Sequence, residues 1–195
     1  MDTRTYLLDC AETAARQRGY DAFSYADLAR EVGIRKASIH YHFPLKADLA
    51  LNLIERYAER FFAALDEIAG RQVSPADHLR AYHAIYRNAL ANGTQLCLCV
   101  AMSAGRSSLP GPVLDRVNQF HADSVAWLAA IFATGIRDGS LPSEIDPDAE
   151  GMATLALMEG AQLIARAAED LTLFDSATAS FLSRLNSRNT SRSSA

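Results

Sequence analysis

The chain has 195 residues, 49% of them hydrophobic and 22% charged, with a net charge of −4. That length suits one large domain or a small head on a larger body, and the composition is that of a globular protein with a real core. The acidic balance excludes bulk charge as a source of nucleic-acid affinity, and the longest strongly apolar run, Val125 to Phe132 and the residues just beyond, is too short to span a bilayer.

Helical periodicity runs through the chain, and no stretch keeps the alternation of a strand. The N-terminal MDTRTYLLDC lacks the apolar core of a signal peptide, so a cytoplasmic chain with Cys10, Cys97 and Cys99 reduced is expected. The first helix is expected over Thr3–Arg18, capped by Thr3 and stopped by Gly19. Tyr6, Leu7, Cys10 and Ala14 share its inward face.

Residues 25–44 read YADLAREVGIRKASIHYHFP, a helix, a glycine turn and a second short helix. Ser24 is a good N-cap, and Asp27 favours the positive helix end. Leu28, Val32, Ile34 and Ile39 fall where two crossed helices share a small core, with Ala29 at their closest approach. Gly33 supplies the positive φ that ends the first helix.

The second helix presents Arg35, Lys36, Ala37, Ser38, His40, Tyr41 and His42, and Lys46 follows it. Phosphates take cations and hydroxyls, base edges take donors, and close approach needs small side chains. This is the composition of a helix-turn-helix recognition helix, although an ordinary helical hairpin with a polar face has the same spacing. Residues 1–46 carry 7 Lys/Arg against 6 Asp/Glu, a net +1, and residues 47–195 carry 12 against 17, a net −5. DNA affinity therefore has to come from a local cluster at Arg35, Lys36 and Lys46.

Further helices are expected from Leu45 to about Ala69, Pro75 to Ala91, Gln95 to Gly105, Pro112 to Arg137, Pro147 to Asp170 and Phe174 to Leu185. The long fourth helix repeats Leu49, Leu53, Tyr57, Phe61, Leu65 and Ile68. The fifth turns Leu79, Tyr82, His83, Tyr86 and Leu90 inward and ends at Asn92-Gly93. In the eighth, Leu155, Met158, Gly160, Ala161 and Ile164 lie among many alanines, a pattern that by itself reads as intramolecular core. The small, polar residues 186–195 are expected to be a disordered tail.

Cys97 and Cys99, placed on one helix, would point about 200° apart, which argues against a disulfide or a shared metal. Tyr82, His83, Tyr86, Met102, Phe120, His121, Trp127, Met158 and Gln162 are the candidates for core or ligand pocket. No phosphate loop, nucleophile elbow or metal-binding spacing occurs, so no enzyme, cofactor or metal is expected.

The stretch from Phe23 to Ile34, and that from Ser38 to Leu49, resemble the helix-turn-helix and the entry to helix four of the TetR family of one-component transcriptional repressors. The resemblance implies an all-α fold: a three-helix DNA-binding head over 1–46 and a six-helix ligand-binding and dimerisation body over 47–185. It implies a homodimer paired through its last two helices, a palindromic double-stranded DNA operator and a small-molecule effector. DNA-facing residues would be Ser24, Tyr25, Arg35, Lys36, Ala37, Ser38, His40, Tyr41, His42 and Lys46. Effector-facing residues would be Tyr82, Tyr86, Cys97, Met102, Phe120, Trp127, Met158 and Gln162. Cys97 falls at the sensing position of members that respond to electrophiles and oxidants.

Two positions depart from the family pattern: His40 stands where a phosphate-touching tyrosine is usual, and Leu45 where a serine or asparagine usually caps helix four. The alternative is a helical protein-binding adaptor that does not bind DNA.

Overall fold

The structure, a computed structural model, describes residues 2–186. Among the described residues there is no strand. The helices are α1 (Thr3–Arg18), α2 (Tyr25–Val32), α3 (Lys36–His42), α4 (Lys46–Ala69), α5 (Pro75–Ala89), α6 (Leu98–Ala104), α7 (Gly111–Arg137), α8 (Pro147–Ala168) and α9 (Leu171–Asn186), with a 3-10 turn at Arg106–Ser108. The expected tail lies outside the described residues except for Asn186, which ends α9. Two units emerge, residues 2–62 with 95–120 and residues 63–94 with 121–186, so α4 and α7 contribute to both.

In the first unit, α1 has the expected bounds, but Thr3 is not its cap. Asp2 holds the N-cap position and makes no side-chain cap bond. The buried stripe is Leu7, Leu8, Cys10, Ala11, Ala14 and Ala15, centred one position round from the expected face, which leaves Tyr6 at the rim and 41% exposed. Charge locks α1 to α4. The buried Glu12 carboxylate accepts from Arg56 at 3.0 Å and from Arg60, and Arg56 also reaches Asp9 at 2.9 Å. Neither Arg56 nor Glu12 is well hydrated, so removing one partner leaves the other charge poorly compensated.

Arg16 ties α1 to the irregular segment before α6. Leu96 N–H donates to the Arg16 carbonyl at 3.1 Å, and Arg16 Nε donates to the Leu96 carbonyl at 2.8 Å. Phe120 of α7 packs on Phe61 and Phe62 of α4, with ring centroids 4.8 and 5.4 Å apart.

The second unit rests on α5, α8 and α9. Leu79, Tyr82, His83, Tyr86 and Leu90 are all buried, as their helical spacing requires. Ser74 caps α5, accepting from the Asp77 N–H at 3.2 Å. α8 stops before Glu169, which takes a left-handed conformation at φ 52. α9 then starts three residues earlier than its apolar periodicity suggests. Asp170 accepts from the Thr172 N–H at 2.8 Å and from its hydroxyl at 2.7 Å, supplying the cap.

Candidate nucleic-acid interface

The Ser24 hydroxyl accepts from the Asp27 N–H at 3.3 Å, and the Asp27 carboxylate accepts from the Ser24 N–H at 2.9 Å, so two of the free donors at the helix start are satisfied. The bonds from Ser24 hold the Asp27 carboxyl below the usual carboxylate range. At the other end of α2, Gly33 takes φ 75, and the N–H groups of Gly33 and Ile34 both reach the Ala29 carbonyl at 3.0 Å. The chain thereby turns into α3.

Leu28 and Ile39 are fully buried between α2 and α3. Val32 and Ile34, expected beside them, are only half-buried because they flank the turn, where solvent reaches one side.

Two residues expected to face DNA are committed inside the head. Tyr25 is 6% exposed, its hydroxyl donates to the Phe43 carbonyl at 2.8 Å, and its ring meets His40 edge-on at 4.9 Å. Burial first, and Asp48 second, push its hydroxyl up to about 12. Tyr25 therefore pins the exit of α3, and its assignment to the DNA face is corrected.

Lys46 Nζ donates to the Tyr20 carbonyl at 2.6 Å and lies 4.3 and 4.5 Å from the centres of the Tyr20 and Phe23 rings. Burial lowers its pKa against the opposing pull of Asp21. In this structure Lys46 clamps the α1–α2 connection and is not extended toward solvent as a phosphate contact. The predicted lack of a side-chain cap at Leu45 is made good by Asp48, whose carboxylate accepts from the Leu45 N–H at 2.9 Å.

Five of the remaining candidates, Arg35, Ala37, Ser38, Tyr41 and His42, come together on one face. Arg35, Lys36, Ala37, Ser38 and Tyr41 are exposed, and Tyr41 is 85% exposed. With Thr3, Ile34 and His42, four of these (Arg35, Ala37, Ser38 and Tyr41) line a concavity of about 540 Å³. The Arg35 carbonyl accepts from the Ser38 N–H at 2.9 Å, and the side chains of Arg35 and Lys36 make no hydrogen bond or ion pair with any described residue. Tyr41 stacks edge-on with His42 at 5.2 Å, which steadies the aromatic ring without covering it. His40 is exposed too, with Nδ1 3.1 Å from the Pro44 carbonyl. Ser24 is exposed, but its hydroxyl is engaged by Asp27. Thr3 was missed in the sequence because only the fold brings the start of α1 beside α3.

The expected effector residues fall into the two units. In the second, Tyr82 stacks on Trp127 at 5.6 Å and 18°, and its ring lies 5.1 Å from that of Tyr86. Gln162 Nε2 donates to the Tyr86 carbonyl at 2.6 Å, and Met158 is fully buried. His83 Nε2 lies 2.9 Å from the Thr178 hydroxyl, which itself donates to the Phe174 carbonyl. Burial lowers the His83 pKa. His121 pairs with Glu159 at 3.1 Å.

In the first unit, Cys97, Met102 and Phe120 are all buried. Cys97 is the N-cap of α6 and not a helical residue, so the divergence expected of two cysteines on one helix does not apply. The Tyr57 hydroxyl donates to Cys97 Sγ at 3.3 Å. Burial raises the Tyr57 pKa, with Cys97 and Cys99 adding to it. Among the described residues no cluster of three His, Cys, Asp or Glu is placed to hold a metal. No helix there is long and apolar enough to cross a membrane.

A family model described as bacterial regulatory proteins, tetR family, matches residues 7–53. A second, described as a tetracyclin repressor-like C-terminal domain, matches residues 75–181. The crystal structure of a TetR-family transcriptional regulator from Agrobacterium tumefaciens superposes with a TM-score of 0.88 at 34% identity, covering 93% of this chain and 96% of that one. The reduced form of E. coli NemR superposes with a TM-score of 0.78 at 23% identity, covering 95% and 96%. The HTH-type transcriptional repressor KstR2 of Rhodococcus jostii is 22% identical over 143 residues, 73% of this chain and 70% of that protein.

Proposed function

The chain belongs to the tetR family of bacterial regulatory proteins, a ligand-responsive group of DNA-binding transcription regulators, and from that premise we propose which of its residues carry out each part of the work. Two copies present α3 to successive major grooves of a palindromic operator. Arg35, Lys36 and Ser38 take phosphates, Tyr41 and His42 approach base edges over the small Ala37, and Thr3 touches the flanking backbone. The observation that carries this reading is the α3 face itself. A large aromatic left 85% exposed, in one concavity with the unpaired guanidinium of Arg35, lacks a structural reason within the monomer.

Pairing of the two copies is supported by α8. Met152, Leu163 and Ile164 are 57%, 46% and 54% exposed on that helix, and Ala153 and Ala156 beside them are exposed as well. An apolar stripe of this kind buries itself against a second copy. The effector binds among Tyr82, Tyr86, Trp127, Met158 and Gln162, with Cys97, Met102 and Phe120 responding in the first unit. Its differential affinity for the two states shifts the population away from the DNA-bound form.

Cys97 is the thiol that answers an electrophile, since its sulfur already receives the Tyr57 hydroxyl and any adduct there forces the pair apart. Operator binding is measured for wild type and Cys97→Ser before and after a thiol-reactive electrophile. Loss in wild type alone is expected, and equal loss in both reassigns the response. Tyr41→Ala tests the DNA face: it should weaken binding and blur operator preference while the chain stays folded. Unchanged preference would sink the placement of α3.

A further inference from the structure

Within the second unit, the C-terminal part of α7, the α7–α8 connection, the start of α8 and the end of α9 enclose a cleft of about 300 Å³. Its walls are Phe132, Leu141, Pro142, Ile145, Phe181 and Leu185, and only Glu150 and Arg184 bring charge to it. None of Tyr82, Tyr86, Trp127, Met158 or Gln162 is among them. The volume lies at the small end of ligand pockets, room for about ten non-hydrogen atoms at ~30 Å³ each.

The polar edge specifies the head group. The Arg184 side chain comes no nearer to the Glu150 carboxylate than 3.9 Å and makes no hydrogen bond with a described residue. A hydrogen-bonded guanidinium–carboxylate pair sits about 1 Å closer, at ~2.7–2.9 Å. The Arg184 fork of donors is thus left for another planar acceptor. Glu150 has less need of a cation, because it lies in the first turn of α8, at the positive end of that helix. An apolar body with an anionic, two-oxygen head satisfies both the walls and the arginine.

We propose that this cleft is a ligand site separate from the effector residues, taking a small hydrophobic carboxylate of about ten heavy atoms with its head group on Arg184. The floor provides a way to close it. The Leu141 N–H donates to the Gly135 carbonyl at 2.8 Å. The Leu141 side chain occupies the space of a missing Cβ, with its Cδ1 only 2.6 Å from where that atom would stand. Alanine at position 135 therefore drives the Leu141 side chain off its seat and into the cleft, a shift a flexible side chain can make without unfolding the turn.

The test is calorimetric titration of the full chain with octanoate, 1-octanol and octylamine. Wild type is expected to bind octanoate in preference to the other two. Arg184→Gln, an exposed position, should weaken octanoate at least tenfold, and Gly135→Ala should remove binding with the helical signal intact. Glu150→Gln should tighten octanoate severalfold by removing a like charge from beside the head group. Absence of octanoate binding would overturn the proposal, and so would octanoate binding indifferent to Arg184→Gln. A preference for octylamine that Glu150→Gln destroys would assign the opposite charge, and equal binding of octanol would remove the role of the arginine. These outcomes are read without DNA, so they stand or fall apart from the operator assignment.

Discussion

Replacing Tyr25 by phenylalanine removes one oxygen atom and separates a structural role from a DNA contact. The hydroxyl donates to the Phe43 carbonyl at 2.8 Å, and Phe43 is 1% exposed. Its loss removes a bond worth roughly 1 kcal/mol net and leaves a buried carbonyl without that donor, so the cost should be about 1–2 kcal/mol. For a chain of this size that lowers the melting temperature by roughly 2–8 °C. At temperatures well below the transition, operator affinity should stay within about twofold, since the ring still fills its site. A spectrophotometric pH titration should also lose one tyrosine titrating at about 12. Thermal melts and fluorescence anisotropy on a labelled operator read the two effects. An unchanged melting temperature with a tenfold loss of affinity would refute the assignment and return Tyr25 to the DNA face.

Tyr41→Ala should do the reverse: stability within ~0.5 kcal/mol of wild type and an operator affinity reduced by roughly 1–3 kcal/mol, checked by the same pair of measurements. Glu12→Gln leaves Arg56 and Arg60 without their shared carboxylate. The expected loss, from denaturant titration, is about 2–3 kcal/mol, below the 3–5 kcal/mol of a fully buried pair because Arg60 is 53% exposed. Burial holds the His83 pKa below its ordinary 6.5, so the unfolded chain binds more protons as pH falls below that value. Its contribution to stability is complete above 6.5 and is lost as pH falls through the lower folded value. Melting temperatures between about pH 7 and 5 should fall more steeply for wild type than for His83→Gln, and parallel curves would contradict this.

Features written in residues three or four apart were legible without coordinates. Ser24 with Asp27 marks the start of α2, Gly33 its end, and Leu28 with Ile39 the small core between the helices. The Asp170–Thr172 cap of α9 is equally local, but the apolar periodicity that begins later masks it. What the sequence hid depends on distant partners. Tyr25 looks like a polar residue at a helix start until Phe43, eighteen positions on, takes its hydroxyl. Lys46 looks like a phosphate contact until the chain returns Tyr20 and Phe23 to it. Thr3 carries no signal of its own, and Cys97 leaves α6 because the chain before it is tied to Arg16 of α1.

The measurement that bears most directly on the DNA-binding assignment is the salt dependence and stoichiometry of binding to the chain's own upstream DNA. With Arg35 and Lys36 from each of two heads on phosphates, the slope of log affinity against log salt should be about −3.6, a loss on the order of a hundredfold between ~50 and ~200 mM salt. Two chains should bind per operator, and Arg35→Ala with Lys36→Ala should flatten the slope toward zero. Affinity indifferent to salt, or one chain bound per DNA, would contradict the assignment of α3 as the recognition helix of a dimeric regulator.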